Sequence, residues 1–92
     1  MRLTALLAAT LLASTAHAAD RSRAVRAEFQ RSNPCPSTGA TRGRCDGWQV
    51  DHRIAICAGG ADSAGNLQWL TIDDHKRKTK HDVMECRARS SR

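Results

Sequence analysis

The chain has 92 residues, with 15 Lys+Arg against 9 Asp+Glu and a formal net charge of +6, so it holds at most one small domain. Apolar residues make up 40% of it, but residues 1–18 are the richest part, and only twelve apolar side chains larger than Ala or Cys follow them. That stock excludes a multidomain protein and a large α/β enzyme with a deep pocket, and a core of this size usually needs a staple.

Arg2 gives a short positive start, and residues 3–13 are a Leu/Ala run broken only by Thr4 and Thr10. Small residues at Ala16 and Ala18 complete the pattern of a secretory signal peptide cut after Ala18. The run is shorter than the roughly 20 apolar residues that span a bilayer, so cleavage is expected rather than anchoring. The expected mature chain is 19–92, secreted or periplasmic, without membrane contact. It carries +5, since only Arg2 is lost from the charge count.

Residues 20–32 read as a helix. Val25 and Phe29 stand at i,i+4, with Arg21, Arg23, Arg26 and Arg31 on the polar faces. Asn33-Pro34-Cys35-Pro36 stops it. The Gly- and Pro-rich stretch 33–47 is then a loop that Cys35 and Cys45 would close. Residues 48–56 alternate in part, placing Trp48, Val50, His52, Ile54 and Ile56 on one face of a strand. A glycine-rich turn over 58–66 leads to a second short strand over 67–70. Thr71 with Asp74 three residues on is a helix-start pattern, and the helix is expected to reach Cys86 or Arg87. At about 100° per residue, Ile72, His75, Thr79, Val83 and Cys86 share a band about 80° wide, facing the sheet. The predicted order, helix, loop, strand, turn, strand, helix, is α+β.

All four cysteines, Cys35, Cys45, Cys57 and Cys86, follow the signal peptide. An even number in an oxidising compartment implies two disulfides. Zinc knuckles would need C-x2-C or C-x4-C pairs, and the gaps of ten, twelve and twenty-nine residues supply none. Four cysteines allow three pairings.

Asp51-His52, Asn66 and His75 are polar residues where the core should lie. Singly, each has an ordinary structural role, and an Asn after Gly suits a turn. Together they are harder to attribute to chance, because buried charge in so small a core is expensive without a partner or a metal. Strand pairing and helix docking would join Asp51 to His75, an oxygen and an imidazole donor suited to a divalent metal. His52 would point to the other side of the strand and would face a substrate held by that metal only if the strand is twisted or bulged there.

Val50-Asp51-His52-Arg53-Ile54, Gly59-Gly60, Asn66-Leu67-Gln68-Trp69-Leu70 and His75-x-x-Lys78-Thr79 occur in that order. The set resembles the HNH endonucleases, whose pattern reads roughly D-H-x-I-P, G-G, N-L-Q-x-L, H-x-x-K-T. The match covers residues 48–80. The segment Cys35-Pro36-Ser37-Thr38-Gly39, with a further cysteine before Asp51, resembles an exported subgroup. The resemblance implies a ββα-metal unit (HNH, His-Me finger): a hairpin crossed by a helix with one metal between, here with an added N-terminal helix and a disulfide-stapled loop. It implies Asp51 and His75 as metal ligands and His52 as general base. Asn66 would fix the hairpin loop and help orient His52. Lys78 would contact a phosphate or support the helix. The chain departs from the family in having no cysteine before His75, which removes the zinc-knuckle variant, and in having Ala55 where Pro is usual.

The implied activity is exported, metal-dependent hydrolysis of DNA phosphodiester bonds. It would use one divalent cation, Mg²⁺ first, with Mn²⁺, Ni²⁺ or Zn²⁺ as alternatives. Arg53, Lys76, Arg77, Lys78 and Lys80 would meet the phosphate backbone, and the start of the last helix would add partial positive charge. Double-stranded DNA with little sequence preference is favoured, because Phe29, Trp48 and Trp69 are the only aromatics and all suit the core rather than a stacking platform. The expected pairs are Cys35–Cys45, closing the loop, and Cys57–Cys86, tying the strand end to the helix. Two rival functions are a non-catalytic basic DNA-binding module on the same fold and a small disulfide-stapled secreted toxin or inhibitor. An immunity or inhibitor protein stays open as a further partner.

Overall fold

The structure is a computed structural model that describes residues 19–91; the expected signal peptide, 1–18, lies outside them. Helix α1 covers 19–32. Strands β1 (Trp48–His52) and β2 (Leu67–Thr71) form a two-stranded antiparallel sheet, and helix α2 (Ile72–Ser90) follows β2 without a loop. The fold is thus a small α+β unit of two helices and one hairpin, held by two disulfides.

Among the described residues the buried apolar side chains are Phe29, Cys35 and Leu67, each at most 3% exposed. Phe29 on α1 meets Trp69 on β2 at 5.6 Å between ring centroids, tilted by 53°. The Trp69 indole N–H donates to the Asn33 carbonyl at 2.8 Å, so this aromatic serves the core and ties down the end of α1. Asn33 closes the helix by donating its backbone N–H and its side-chain amide to the Phe29 carbonyl. The loop that follows is closed by Cys35–Cys45, with Cα atoms 5.5 Å apart, and Gln30 donates across to the Ala40 carbonyl.

The sheet register pairs Asp51 with Gln68 and His52 with Leu67. The expected first strand, 48–56, stops at His52, and Ile54 and Ile56 are 58% and 54% exposed instead of sharing its inner face. The physical reason is Asn66. Its side-chain carbonyl accepts from the Ile54 N–H at 3.1 Å and its amide donates to the Ile54 carbonyl at 2.9 Å. A side chain thereby takes both backbone groups that a continuing strand would have offered to a partner. The chain turns away into two 3-10 turns, Ile56–Ala58 and Ala64–Asn66. Gly60 passes so close beneath the Ile54 carbonyl that a Cβ there would collide with it.

Helix α2 begins where expected, with the Thr71 hydroxyl accepting from the Asp74 N–H at 3.1 Å. It runs beyond the expected end, to Ser90. Its docking face keeps part of the expected band, with Ile72, His75 and Cys86 partly buried, and departs from it at Thr79 and Val83, which are exposed. Val83 is 42% exposed, whereas the Lys78 and Asp82 side chains turn inward, at 19% and 24% exposure. The band of apolar residues misplaces this face because the strand opposite presents the buried carboxylate of Asp51, and that needs a cation rather than a methyl group. Cys57–Cys86 joins the first 3-10 turn to the last turns of α2, with Cα atoms 5.4 Å apart. The Arg89 guanidinium reinforces this join on the Ala58 carbonyl. Among the described residues no helix is long and apolar enough to cross a membrane, and two disulfides are the chemistry of an oxidising compartment.

Candidate functional site

Asp51 and His52 are consecutive on β1, so their side chains leave opposite faces of the sheet. Asp51 turns under α2 and is 7% exposed. His52 turns the other way, towards the 58–66 loop and α1.

On the Asp51 side the carboxylate is tightly held. Its cross-strand partner Gln68 donates to Oδ2 at 3.0 Å, and the Lys78 ammonium stands 3.1 Å from the same oxygen. Lys78 also donates to the His52 carbonyl at 2.8 Å and to Asp82 at 2.7 Å. Burial works against the Lys78 charge, but the hydrogen bonds to Asp82 and Asp51 outweigh it and hold the ammonium above its ordinary range. Oδ1 is the less occupied oxygen: Lys78 lies 3.5 Å away, and His75 Nε2 approaches to 3.8 Å. His75 sits in the first turn of α2, one third exposed, and lines a shallow cleft with Arg26, Gln49 and Val50. The two expected ligands are therefore neighbours. Among the described residues no group of three or more His, Cys, Asp or Glu could hold a metal ion; Asp51 and His75 are a pair.

On the His52 side, Nε2 lies 3.0 Å from Asp62 Oδ1, and the other Asp62 oxygen accepts from the Ser22 hydroxyl on α1 at 2.9 Å. The His52 hydrogen bond first, and the Ser22 hydrogen bond second, hold the Asp62 carboxyl below its ordinary value, with Arg26 adding positive charge nearby. Among the described residues Asn66 makes no hydrogen bond to His52. It fixes the loop by bonding Ile54 and by donating to the Ala61 carbonyl at 2.7 Å, while its own carbonyl accepts from the Arg53 N–H at 2.7 Å. Any influence on His52 runs through that backbone.

The expected phosphate-contacting residues divide into three groups. Lys76 and Lys80 are exposed with no partner among the described residues. Arg53 and Arg77 are exposed but engaged, Arg53 with Gln68 and Arg77 with Asp74. Lys78 stands apart, because its ammonium is turned inward and bonded to Asp51, Asp82 and the His52 carbonyl, which joins α2 to β1. The positive end of α2 is also less open to a phosphate than expected, since exposed Asp73 and Asp74 occupy its first turn.

Three contributors escaped the sequence. Gln68 is part of the N-L-Q segment, and its alignment with Asp51 appears only once the register is known. Asp62 reads as one more polar residue in a glycine-rich turn. Arg26 belongs to a helix whose arginines all look like solvated surface, yet it alone reaches the His75 cleft. No protein-family model, no curated protein and no solved structure matches this chain.

Proposed function

We propose that the protein is an exported, metal-dependent endonuclease of the HNH type, built on a ββα-metal unit, that hydrolyses phosphodiester bonds in DNA. The observation that carries this is the pair Asp51 Oδ1 and His75 Nε2, 3.8 Å apart, with His52 next along the strand. Bonds of about 2.1 Å from each donor to one divalent ion put two donors roughly 3–4 Å apart. The pair fits such an ion in donor chemistry as well, an anionic oxygen beside a neutral nitrogen. Asp51 and His75 would hold it, and it would supply positive charge to offset the negative charge that develops on the scissile phosphate.

The chain's own residues do the rest. Gln68 and Lys78 hold Asp51 Oδ2 and so orient Oδ1. His52 leaves the opposite face of β1 from Asp51, so for it to take the proton from the attacking water, a task suited to an imidazole near neutral pH, the phosphate has to be held round the end of β1, between the two. Lys76 and Lys80 attract the polyanion without reading bases, as suits little sequence preference and a duplex substrate. Thr71 and its cap fix the first turn of α2, and with it His75.

A second function, a non-catalytic DNA-binding module, draws on Lys78, whose ammonium already answers the Asp51 charge without a metal. One experiment separates the two. Plasmid nicking by the chain from residue 19 onward is measured with Mg²⁺, Mn²⁺, Ni²⁺ or Zn²⁺, with EDTA, and with His52→Ala. Nuclease action requires cleavage that EDTA abolishes and that falls at least ~100-fold in the variant, the usual scale for a lost general base. Folded protein that binds plasmid and leaves it intact with all four metals establishes the binding module instead.

A further inference from the structure

We infer that Asp62 is the positioning residue of His52, and that α1 belongs to the catalytic scaffold through Ser22. This rests on the nuclease function proposed above. It adds a carboxylate on the far side of the sheet from the Asp51–His75 pair, in a loop where the sequence offers only a turn.

The chemistry follows from donor and acceptor rules. An ionised carboxylate only accepts hydrogen bonds. With Asp62 Oδ1 at 3.0 Å, His52 Nε2 must therefore carry the hydrogen and donate it. In the neutral ring the lone pair then resides on Nδ1, which makes Nδ1 the atom that can accept a proton from water. Once it has done so, the imidazolium still donates through Nε2 to Asp62, whose negative charge stabilises it. An aspartate behind a catalytic histidine serves the same two ends in the serine-protease triad, fixing the tautomer and stabilising the imidazolium.

Asp62 is itself restrained. The Ser22 hydroxyl donates to Oδ2 at 2.9 Å, so each carboxylate oxygen has one defined partner. The loop beneath is fixed by Asn66 on the Ala61 carbonyl, one residue before Asp62. About a third of the Asp62 side chain and a fifth of His52 remain exposed, enough for water to reach the ring while its orientation is set from behind. Ser22 reaches the site because α1 is docked on the hairpin by the Phe29–Trp69 contact and by the Trp69 indole on the Asn33 carbonyl. That gives the N-terminal helix a part in catalysis that its arginine-rich composition does not suggest.

The test uses the chain from residue 19 onward in plasmid nicking, with Asp62→Asn, Ser22→Ala, His52→Ala and the double variant H52A/D62N. Circular dichroism confirms that each folds. The expected result for Asp62→Asn is a fall in kcat of about tenfold or more with KM nearly unchanged, because a tautomer fault acts on the proton transfer and not on DNA binding. Ser22→Ala falls less. In the H52A background the Asp62→Asn step changes kcat by less than about twofold, since the residue it serves has gone. A merely structural Asp62 would instead lower both backgrounds alike, and that outcome overturns the inference.

Proton NMR of ¹⁵N-histidine-labelled protein gives a readout that does not depend on cleavage. A downfield, slowly exchanging Nε2–H signal of His52 is expected in the wild type and lost in Asp62→Ala, which removes the acceptor altogether. Its absence from the wild type, or its survival in the variant, overturns the dyad. Wild-type protein that shows this signal and cleaves nothing would refute the nuclease function and leave the dyad standing.

Discussion

Removing the Cys57–Cys86 link is the most informative perturbation of the fold, because α2 has no buried residue of its own. The helix is held by this disulfide, by Lys78 on Asp51 and the His52 carbonyl, and by Arg89 on the Ala58 carbonyl. The two cysteines are 29 residues apart, so in the loop-entropy account their link stabilises the chain by about 3.6 kcal/mol at 25 °C. The same expression gives about 2.7 kcal/mol for the 10-residue separation of Cys35 and Cys45. The double variant C57A/C86A should therefore lose more than C35A/C45A. The excess should exceed the entropy difference, since freeing the end of α2 also loosens the contacts around Lys78. Urea titration followed by far-UV circular dichroism measures both losses. Near-equal midpoints for C57A/C86A and wild type would refute the view that a covalent tie, rather than apolar packing, docks α2. A larger loss in C35A/C45A would move the weight of the fold to the N-terminal loop. In metal-binding titrations C57A/C86A should weaken the site, because His75 is carried to Asp51 by this helix.

Asn66→Ala should cost about 1–2 kcal/mol, since it removes three hydrogen bonds, to the Ile54 N–H and to the Ile54 and Ala61 carbonyls, all exposed enough for water to replace them in part; Asn66→Asp, which keeps only the acceptor, should recover part of that in urea titration. The pH dependence has a defined sign. Asp62 is held below the usual carboxylate range by His52 and then Ser22, and Asp74 by Arg77 and then Thr71. Carboxylates depressed in the folded state contribute stability above their ordinary value of 3.8, and that contribution is lost as pH falls through the lower folded values. The urea midpoint should drop in that acid window, and the drop should shrink in the D62N/D74N double variant, both groups being exposed enough for solvent to soften the effect.

Local signals in the sequence carried the elements that depend on local chemistry. The i,i+4 pair Val25 and Phe29 marked α1, the Thr71 cap placed the start of α2 at Ile72, and the cysteine gaps left room for the two pairs observed. What escaped depends on one side chain competing with a regular pattern. Alternation carried β1 on through Ile54 and Ile56, because nothing in those residues shows that the Asn66 amide takes over both backbone groups of Ile54. Apolar periodicity turned α2 by its methyl groups, whereas the helix docks by charge: Lys78 and Asp82 face the strand and Val83 does not. Both misreadings share one cause. With three buried apolar side chains among the described residues, polar contacts orient the elements, and binary patterning speaks only for hydrophobic ones. The juxtaposition of Asp51 and His75 was legible because it needs only strand pairing and a helix start. That of His52 with Asp62 was not, since it needs the path of a fourteen-residue connection between β1 and β2 that is set by Asn66 and Gly60 together. A loop built this way keeps its functional carboxylate where sequence shows only a turn, and a search for such residues has to begin from what the strand-end histidine can reach.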